Sequence, residues 1–165
     1  MDAMRIGLGH DTHRLGPGGP LRLGGIDLAA DRHSIGYSDA DTLLHAVTDA
    51  LLGAAALGDI GQIFSDGDPA NRGRDSAEML RIAYGKVQAA GWRIANLDCV
   101  VFLEAPKLAP HRDAILRRLA DILGLETNAI GLKAKSGEGV GTVGRGECVA
   151  AECIALLVAA PRSGP

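Results

Sequence analysis

Large aromatic side chains are scarce in this 165-residue chain, which contains two phenylalanines, two tyrosines and one tryptophan. Hydrophobic residues still make up 47% of the sequence, so a buried core must be built from leucine, isoleucine, valine and alanine. The length fits one domain over residues 1–165, and we expect poorly ordered ends at 1–4 and 160–165. A chain this poor in large side chains often buries further surface against copies of itself, which favours a homo-oligomer.

Other scarcities exclude further classes of protein. The net charge is −3 and no arginine-rich run occurs, which argues against a nucleic-acid-binding protein. The three cysteines form no C-x-x-C pair, so free thiols are expected rather than disulfides or a thiolate zinc site. No run approaches the roughly 18 apolar residues of a membrane span, and the start of the chain has no apolar signal region. We therefore expect a cytoplasmic protein, or an organellar one whose transit peptide is not part of this sequence, with neither nucleic acid nor membrane as a partner.

The order of strand and helix patterns indicates an α+β fold: a mixed β-sheet with helices packed on one face and a small N-terminal hairpin. The glycine pair Gly24-Gly25 separates the two short hairpin strands. Ser38 is the expected cap of the first long helix, whose apolar surface extends through Leu57. The predicted elements are, in order, a strand at 5–13, a loop at 15–20, the hairpin at 21–28, the helix after Ser38, a helix at 75–91, a strand at 93–103, a helix at 110–123 and strands at 130–135 and 148–158.

Two imidazoles and a carboxylate form the first candidate site. Asp11 and His13 point to the same side of the first strand because they are two residues apart. His45 lies in an otherwise apolar helix, with Asp41 and Asp49 one turn away on either side as candidates to orient its ring. Taken separately, an Asp-x-His sequence also fits a solvated strand end, and a helical histidine also fits a core position paired with a carboxylate. Taken together, the side chains of Asp11, His13 and His45 supply the three ligands that a catalytic zinc ion requires.

Two glycine-rich segments are candidate ligand loops. The first, Asp59–Gly73, is long for a compact domain, and its glycines and carboxylates suit a polyol, although an acidic turn has the same composition. The second, Gly137–Gly146, follows Lys135-Ser136, and its hydroxyl, backbone amides and cations suit a phosphate. Glu138 could hold a divalent cation against such a phosphate, whereas a flexible charged hairpin is the alternative for this segment. The strand-to-helix turn at Glu104–Lys107 says little by itself.

These patterns occur together in an order that resembles one enzyme family. The matching stretches, between Arg5 and about Ala159, are Arg5-Ile6-Gly7-x-Gly9-x-Asp11-x-His13, Ser38-Asp39-x-Asp41-x-x-x-His45-Ala46-x-x-Asp49-Ala50-Leu51-Leu52-Gly53-Ala54, Leu57-Gly58-Asp59-Ile60-Gly61, Asp66-x-Asp68-Pro69, Ala105-Pro106-Lys107 and Gly144-Arg145-Gly146-Glu147. On these stretches the chain resembles the 2-C-methyl-D-erythritol 2,4-cyclodiphosphate synthases of the non-mevalonate isoprenoid pathway. The resemblance implies a metal-dependent, cyclising phosphorus–oxygen lyase that converts 4-diphosphocytidyl-2-C-methyl-D-erythritol 2-phosphate to the 2,4-cyclodiphosphate and releases CMP. It also implies a homotrimer with active sites between neighbouring subunits.

The resemblance also assigns roles to individual residues. The implied metal ligands are Asp11, His13 and His45 for one zinc ion per subunit, and Glu138 for Mg²⁺ or Mn²⁺ with the substrate diphosphate. The implied contacts to the reacting phosphates are Ser136, Tyr37 and Lys135. The other implied substrate contacts are Ser38, Asp59, Ile60, Gly61, Phe64, Asp66, Asp68, Ala105, Pro106, Lys107, Leu108, Ala109, Thr142 and Arg145. Cytidine is expected near Ala105–Lys107 and is held there mainly by backbone and aliphatic contacts, because aromatic residues are scarce.

The sequence departs from the family pattern at Tyr37, where many members have histidine. A tyrosine hydroxyl still donates to a phosphate but adds no positive charge near neutral pH. Thr142 stands where an aromatic residue is often found near the trimer axis. Two other interpretations stay open: a trimeric ligand-binding protein of the same fold without the chemistry, and a mononuclear iron oxygenase, whose iron is also held by two histidines and a carboxylate.

Overall fold

The computed structural model describes residues 3–161 as a sheet with helices on one side. The strands are β1 (Met4–Pro17), β2 (Leu21–Leu23), β3 (Ile26–Leu28), β4 (Arg32–Ile35), β5 (Trp92–Phe102), β6 (Ile130–Lys135) and β7 (Cys148–Ala159). The helices are α1 (Thr42–Ala55), α2 (Ile60–Ile63), α3 (Ser76–Ala89), α4 (Arg112–Leu123) and α5 (Gly141–Gly144). The main sheet has the order β4-β1-β7-β5-β6, and β2 and β3 form the separate hairpin. Because β5 and β6 are parallel while the other pairs are antiparallel, the predicted mixed sheet is confirmed.

The core between the sheet and its helices is aliphatic, as the composition requires. Leucine, isoleucine, valine and alanine dominate the buried residues, and all three cysteines are buried free thiols. Within residues 3–161, no helix is both long and apolar enough to cross a lipid bilayer. The helices cover one face of the sheet only, as predicted.

The opposite face of the sheet is open in the single chain. Ile6 and Leu8 of β1 alternate with the buried glycines of the same strand and are 73% and 66% exposed. On the neighbouring strand β7, Ile154 is 50% exposed. Apolar side chains on adjacent strands thus form an unburied patch, which we call the open face.

Helix α1 packs against β1 so closely that a side chain at Gly7 or Gly9 would overlap with the helix backbone. Gly7 and Gly9 face the helix, and a Cβ atom built on Gly9 would lie 1.9 Å from the carbonyl oxygen of Ala46. On the helix side, small residues such as Ala46 and Ala50 meet the strand. Glycine on the strand and alanine on the helix therefore bring the backbone of α1 against β1.

The cap of α1 differs from the expectation. Ser38 was the predicted cap, but Asp41 occupies that position and accepts from the backbone N–H of Leu44 at 3.0 Å. The same carboxylate accepts from the N–H groups of Gly24 and Gly25 at 2.9 and 2.7 Å. Complete burial raises the pKa of the Asp41 carboxyl, although these three N–H groups counteract the effect. Asp41 therefore joins the hairpin turn to α1. Both oxygens of its carboxylate are needed to accept from these donors, and the single oxygen of a serine hydroxyl could not replace them.

Two further expectations about elements were wrong. The segment 15–20 was expected to be a loop, but β1 continues to Pro17 because β4 pairs with Arg14–Pro17. Strand β4 itself was not predicted, since its four residues show no alternation of apolar side chains. The short helices α2 and α5 also lie inside segments that were expected to be irregular.

The ends of the chain are only partly described. The expectation of poor order at residues 1, 2 and 162–165 falls outside the described residues. Inside them, Met4 pairs with Val158, and the N–H of Ala160 donates to the carbonyl oxygen of Gly91 at 2.8 Å, so these positions are hydrogen-bonded to the sheet or its neighbouring turn.

The contact between α1 and β1 predicts unequal effects of two glycine substitutions. Gly9→Ala places a methyl group against backbone atoms of α1 and should destabilise the fold by about 3 kcal/mol. Gly85→Ala, in α3 with nothing within 4 Å of the new methyl group, should stabilise it by about 0.5–1 kcal/mol. Urea unfolding of both variants measures the difference; a Gly9→Ala variant as stable as the parent would contradict the close packing.

Candidate metal centre and active site

Three potential ligand atoms converge where α1 crosses the end of β1. Asp11 and His13 project from β1 towards α1, and His45 projects from the first turns of α1. The Nε2 atom of His13 lies 3.0 Å from Oδ2 of Asp11, and the Nδ1 atom of His45 lies 3.1 Å from the same oxygen. The two nitrogens are 3.2 Å apart, so the three atoms form a nearly equilateral triangle. The residues that the sequence predicted as a metal site are thus brought together.

The dimensions of this triangle fit a tetrahedral metal ion. Metal–ligand bonds of about 2.0–2.1 Å to nitrogen and oxygen place neighbouring tetrahedral ligand atoms about 3.3 Å apart. The observed separations of 3.0–3.2 Å are close to that value. Three protein ligands leave the fourth position of such an ion free for a substrate oxygen.

The ring of His13 has a defined orientation. Its Nδ1 atom lies 3.0 Å from the carbonyl oxygen of Ile35, which can only accept, so Nδ1 carries the proton. The Nε2 atom then presents its lone pair to the metal position. Strand β4, which supplies Ile35, was the strand that the sequence did not reveal.

The electrostatics of the triad favour a positive charge at its centre. Burial acts to raise the pKa of the Asp11 carboxyl, but the hydrogen bonds and charges of His13 and His45 outweigh it and lower that pKa. Burial likewise acts to lower the pKa of His13, but its hydrogen bond to Asp11 and the charge of that carboxylate raise it. Asp11 is therefore an ionised ligand at neutral pH, and its field attracts cations.

Neither carboxylate that was expected to orient His45 contacts its ring. Asp41 caps α1 and binds the hairpin turn, as described above. Asp49 accepts from the backbone N–H of Ile60 at 2.7 Å, and it therefore anchors the start of α2. Instead, the Nε2 atom of His45 lies 2.8 Å from Oγ of Ser76 and 3.2 Å from Oγ of Ser38. Spacing along α1 predicted the wrong partners for His45, because its nearest hydrogen-bond partner on that side is Ser76 at the start of α3.

A cavity of about 330 Å³ opens beside the metal ligands. In addition to the three triad residues, six predicted site residues line this cavity: Tyr37, Ser38, Ile60, Gly61, Phe64 and Asp66. The lining also includes Asn71 and Met79, which sequence reasoning missed. Asn71 lies within the candidate ligand loop Asp59–Gly73 but was not named individually, and Met79 lies on a helix that carries no motif.

Three predicted contacts have structural partners of their own. Asp59 caps α2 through the N–H of Gln62 at 2.9 Å, and Asp68 accepts from the N–H of Ala70 at 2.9 Å. Neither carboxylate belongs to the lining of the 330 Å³ cavity. The hydroxyl of Tyr37 donates to the carbonyl oxygen of Asp68 at 3.3 Å, while its ring faces the cavity.

A second cavity, also about 330 Å³, lies beside the edge strand β6. Of the predicted residues, Leu108, Ala109 and Lys135 line it. The remaining lining residues are Arg112, Leu132, Lys133 and Ala134, which gives aliphatic walls with three cations and no aromatic side chain. The turn that carries Ala105, Pro106 and Lys107 follows β5 and leads directly to Leu108, which lines this cavity.

The segment after β6 carries the other candidate phosphate and cation ligands. Ser136 donates from Oγ to Oε1 of Glu138 at 2.9 Å, and the N–H of Gly137 donates to Oε2 of Glu104 at 2.9 Å. Glu138 has a φ of 50°, a left-handed conformation that costs free energy in a residue other than glycine and is often found at functional sites. Further along, Thr142 lies in α5, and Arg145 pairs with Glu147 at 2.7 Å.

The two sets of candidate residues are separated within one chain. Asp11 aligns with Ala151, Ala151 with Val101, and Val101 with Ala134, so one row crosses four strands. With about 4.8 Å between neighbouring strands, β1 and β6 are about 14 Å apart. The two cavities share no lining residue. One chain therefore presents two sets of candidate site residues that lie three strands apart in the sheet.

Comparisons with known proteins agree with this geometry. Residues 4–158 match the model of the YgbB family. A curated relative from Rhodopirellula baltica, named 2-C-methyl-D-erythritol 2,4-cyclodiphosphate synthase, is 54% identical over 94% of this chain and 93% of its own length. A solved structure of a synthase of that name, in its CDP-bound form, has a TM-score of 0.86 and 41% identity over 93% of this chain and 99% of its own. The bifunctional IspDF from Campylobacter jejuni has a TM-score of 0.92 and 35% identity over 96% of this chain, which spans 43% of that longer protein.

Removal of the His45 imidazole should abolish metal loading. His45→Ala deletes one of three ligand atoms and should leave less than about a tenth of the zinc bound after reconstitution and desalting. His33→Ala removes an exposed imidazole, bonded to the Gly18 carbonyl oxygen at 3.0 Å, and should retain full loading. Elemental analysis of both purified variants gives the metal content, and unchanged zinc in His45→Ala would refute the triad.

Proposed function

The chain belongs to the YgbB family, and we propose that it cyclises 4-diphosphocytidyl-2-C-methyl-D-erythritol 2-phosphate to 2-C-methyl-D-erythritol 2,4-cyclodiphosphate with release of CMP. The observation that carries the proposal is the triad of Asp11, His13 and His45, which forms one wall of a ligand-sized cavity. Near-full-length relatives with this activity in their names support the choice of reaction. A cytoplasmic location of the enzyme is part of the proposal.

The proposed reaction is an intramolecular phosphoryl transfer. An oxygen of the 2-phosphate forms a bond to the β-phosphorus, and the bond from that phosphorus to the bridging oxygen breaks, so CMP leaves with the bridging oxygen. The attacking oxygen already carries negative charge, and the step needs no strong general base. The difficulty is the approach of two anionic groups, which positioned donors and cations can overcome. Lys135, Ser136 and Arg145 are the side chains that we assign to this task.

The metal ligands fit two different ions. The triad of two imidazoles and a carboxylate suits zinc, whereas Glu138 beside the Ser136 hydroxyl offers the oxygen ligands that Mg²⁺ or Mn²⁺ prefers. When bound, such ions neutralise and align the phosphate oxygens. The strained backbone of Glu138 is consistent with a carboxylate that is held for this purpose.

The second cavity is the proposed cytidine site. Its aliphatic walls, with Leu108 and Ala109 next to the Ala105–Lys107 turn, suit a base held by backbone and aliphatic contacts. Lys135 at its edge is a cation for the diphosphate. The methylerythritol part would then lie in the first cavity, near Ile60, Gly61 and Asp66.

A homotrimer would join the two sets of candidate site residues. Strand β1, which carries two of the metal ligands, and strand β6, which leads into the Glu138 segment, lie about 14 Å apart, and we take this as too far for both to act on the same phosphate. The open face, with Ile6, Leu8 and Ile154, supplies an apolar surface for contact between copies. Self-association would bury this face and place one chain's metal ligands beside a neighbour's cytidine site.

One observation keeps a non-catalytic relative in view as the second candidate. The Tyr37 hydroxyl is engaged by the Asp68 carbonyl oxygen, so the position where many family members have histidine supplies neither charge nor a free donor. A binding protein of the same fold would load zinc and bind cytidine phosphates without turnover.

Release of CMP distinguishes these functions. With zinc and magnesium supplied, the enzyme should form one CMP and one cyclic diphosphate per substrate molecule. Chromatography measures the CMP, and phosphorus NMR identifies the cyclic diphosphate. Glu138→Gln should lower kcat by about 100-fold while zinc at the triad is retained, because the second cation is lost. Glu126→Gln, an exposed carboxylate on a remote turn, serves as the matched control and should keep full activity. Binding without CMP release would reject the proposed reaction.

A further inference from the structure

The nitrogen of His45 that faces away from the metal position contacts a buried polar chain. Its Nε2 atom lies 2.8 Å from Oγ of Ser76, a fully buried residue at the start of α3. The Ser76 hydroxyl donates in turn to Oδ1 of Asp39, and the Ser76 backbone N–H donates to Oδ2 of Asp39 at 3.1 Å. Beyond Asp39 lies Arg22 of the hairpin, with its Nε atom 3.6 Å from Oδ2.

The chemistry of these groups fixes the direction of each hydrogen bond. Arg22 can only donate, and both oxygens of Asp39 receive N–H or O–H donors. The proton of the Ser76 hydroxyl therefore belongs to the bond with Asp39. The lone pair that remains on Ser76 can only accept from His45, so the Nε2 atom of His45 carries a proton. With Nε2 protonated by this bond, the Nδ1 atom is the one that would offer its lone pair to a metal ion beside Asp11 and His13.

We propose that Ser76 and Asp39 are positioning residues that hold His45 in the tautomer and orientation required to bind the metal. The inference deepens the proposed function, because it concerns the same zinc centre. Neither Ser76 nor Asp39 belongs to the ligand triad or to the lining of the adjacent cavity, so both would act through the imidazole. Hydrogen bonds of this kind to the distal nitrogen of a ligating histidine set its tautomer and raise its basicity.

Ser38 is a weaker candidate for the same role. Its Oγ atom is 3.2 Å from Nε2 of His45, longer than the Ser76 contact, and it already accepts from the N–H of Ala40 at 3.1 Å. Ser38 also lines the substrate cavity, whereas Ser76 is fully buried. The Ser76 contact is therefore the one that persists whether or not a ligand enters.

The polar chain of Ser76, Asp39 and Arg22 also connects the hairpin of β2 and β3 to the ligand triad. Arg22 of β2 pairs with Asp27 of β3 at 3.2 Å and reaches Asp39 from that position. The hairpin, which contributes nothing to the main sheet, is thereby connected to the metal centre through three side chains.

Two substitutions test the proposal on the full chain. Ser76→Ala removes the acceptor for His45 and should weaken zinc affinity by about 10- to 100-fold, measured by competition with a chromogenic chelator. Asp39→Asn keeps the shape but can donate to Ser76, which turns the Ser76 hydroxyl towards His45 and favours the Nδ1–H tautomer. Nitrogen-15 NMR of the metal-free protein should show a proton on Nε2 of His45 in the parent and loss of that Nε2 proton, with Nδ1–H retained towards Asp11, in Asp39→Asn. This tautomer signature would not follow from a general loss of stability.

Ser34→Ala is the matched control, because Ser34 is a buried serine whose hydroxyl has no partner among residues 3–161. Its zinc affinity should equal that of the parent. Parent-like zinc affinity in Ser76→Ala, a parent-like tautomer in Asp39→Asn, or an equal loss in Ser34→Ala would overturn the proposal. If Ser76→Ala does not fold, the isosteric Asp39→Asn carries the test alone. Because these readouts use zinc and the metal-free protein, they stand even if the parent releases no CMP.

Discussion

The contact between α1 and β1 is the constraint on which the candidate metal centre depends. Gly7 and Gly9 allow the helix backbone to approach the strand as closely as backbone atoms permit. The approach sets His45 directly over Asp11 and His13, whose donor atoms then lie 3.0–3.2 Å apart. A side chain at Gly7 or Gly9 would push α1 away from β1 and open the triangle of ligands. The scarcity of large residues is thus part of how the site is built.

Polar groups from remote segments complete what the close packing begins. His13 is oriented by a carbonyl of β4, and the distal nitrogen of His45 meets the start of α3. Asp41, fully buried, ties α1 to the hairpin turn. The bonds of Asp41 and Ser76 satisfy groups that would otherwise be buried without a partner, so the polar network and the fold support each other. The centre is consequently held by five segments of the chain rather than by α1 and β1 alone.

Local periodicity predicted the parts of the site that lie within single elements. The two-residue spacing placed Asp11 and His13 on one face of a strand, and the apolar helix placed His45 towards the core. The same reasoning assigned Asp41 and Asp49 to His45 wrongly, because spacing along a helix shows which residues share its face but not which element covers that face. Ser76 lies 31 residues from His45 and carries no motif, so only the packing of α3 against α1 reveals it. Strand β4 was not predicted for a related reason: it is a short edge strand that forms through its pairing with β1 and has no apolar pattern of its own.

One chain holds two separate sets of candidate site residues, and the proposed function requires that self-association joins them into one site. His45→Ala removes a ligand on the metal side and Glu138→Gln a ligand on the other side, so each variant alone should retain about 1% of parental activity or less. Assemblies formed from an equal mixture of the two chains should recover about a quarter of parental CMP release, the fraction of interfaces that pair two intact halves at random. Mixed assemblies, verified by differential tags and mass spectrometry, that stay inactive would show that no site is shared between chains and would contradict the account.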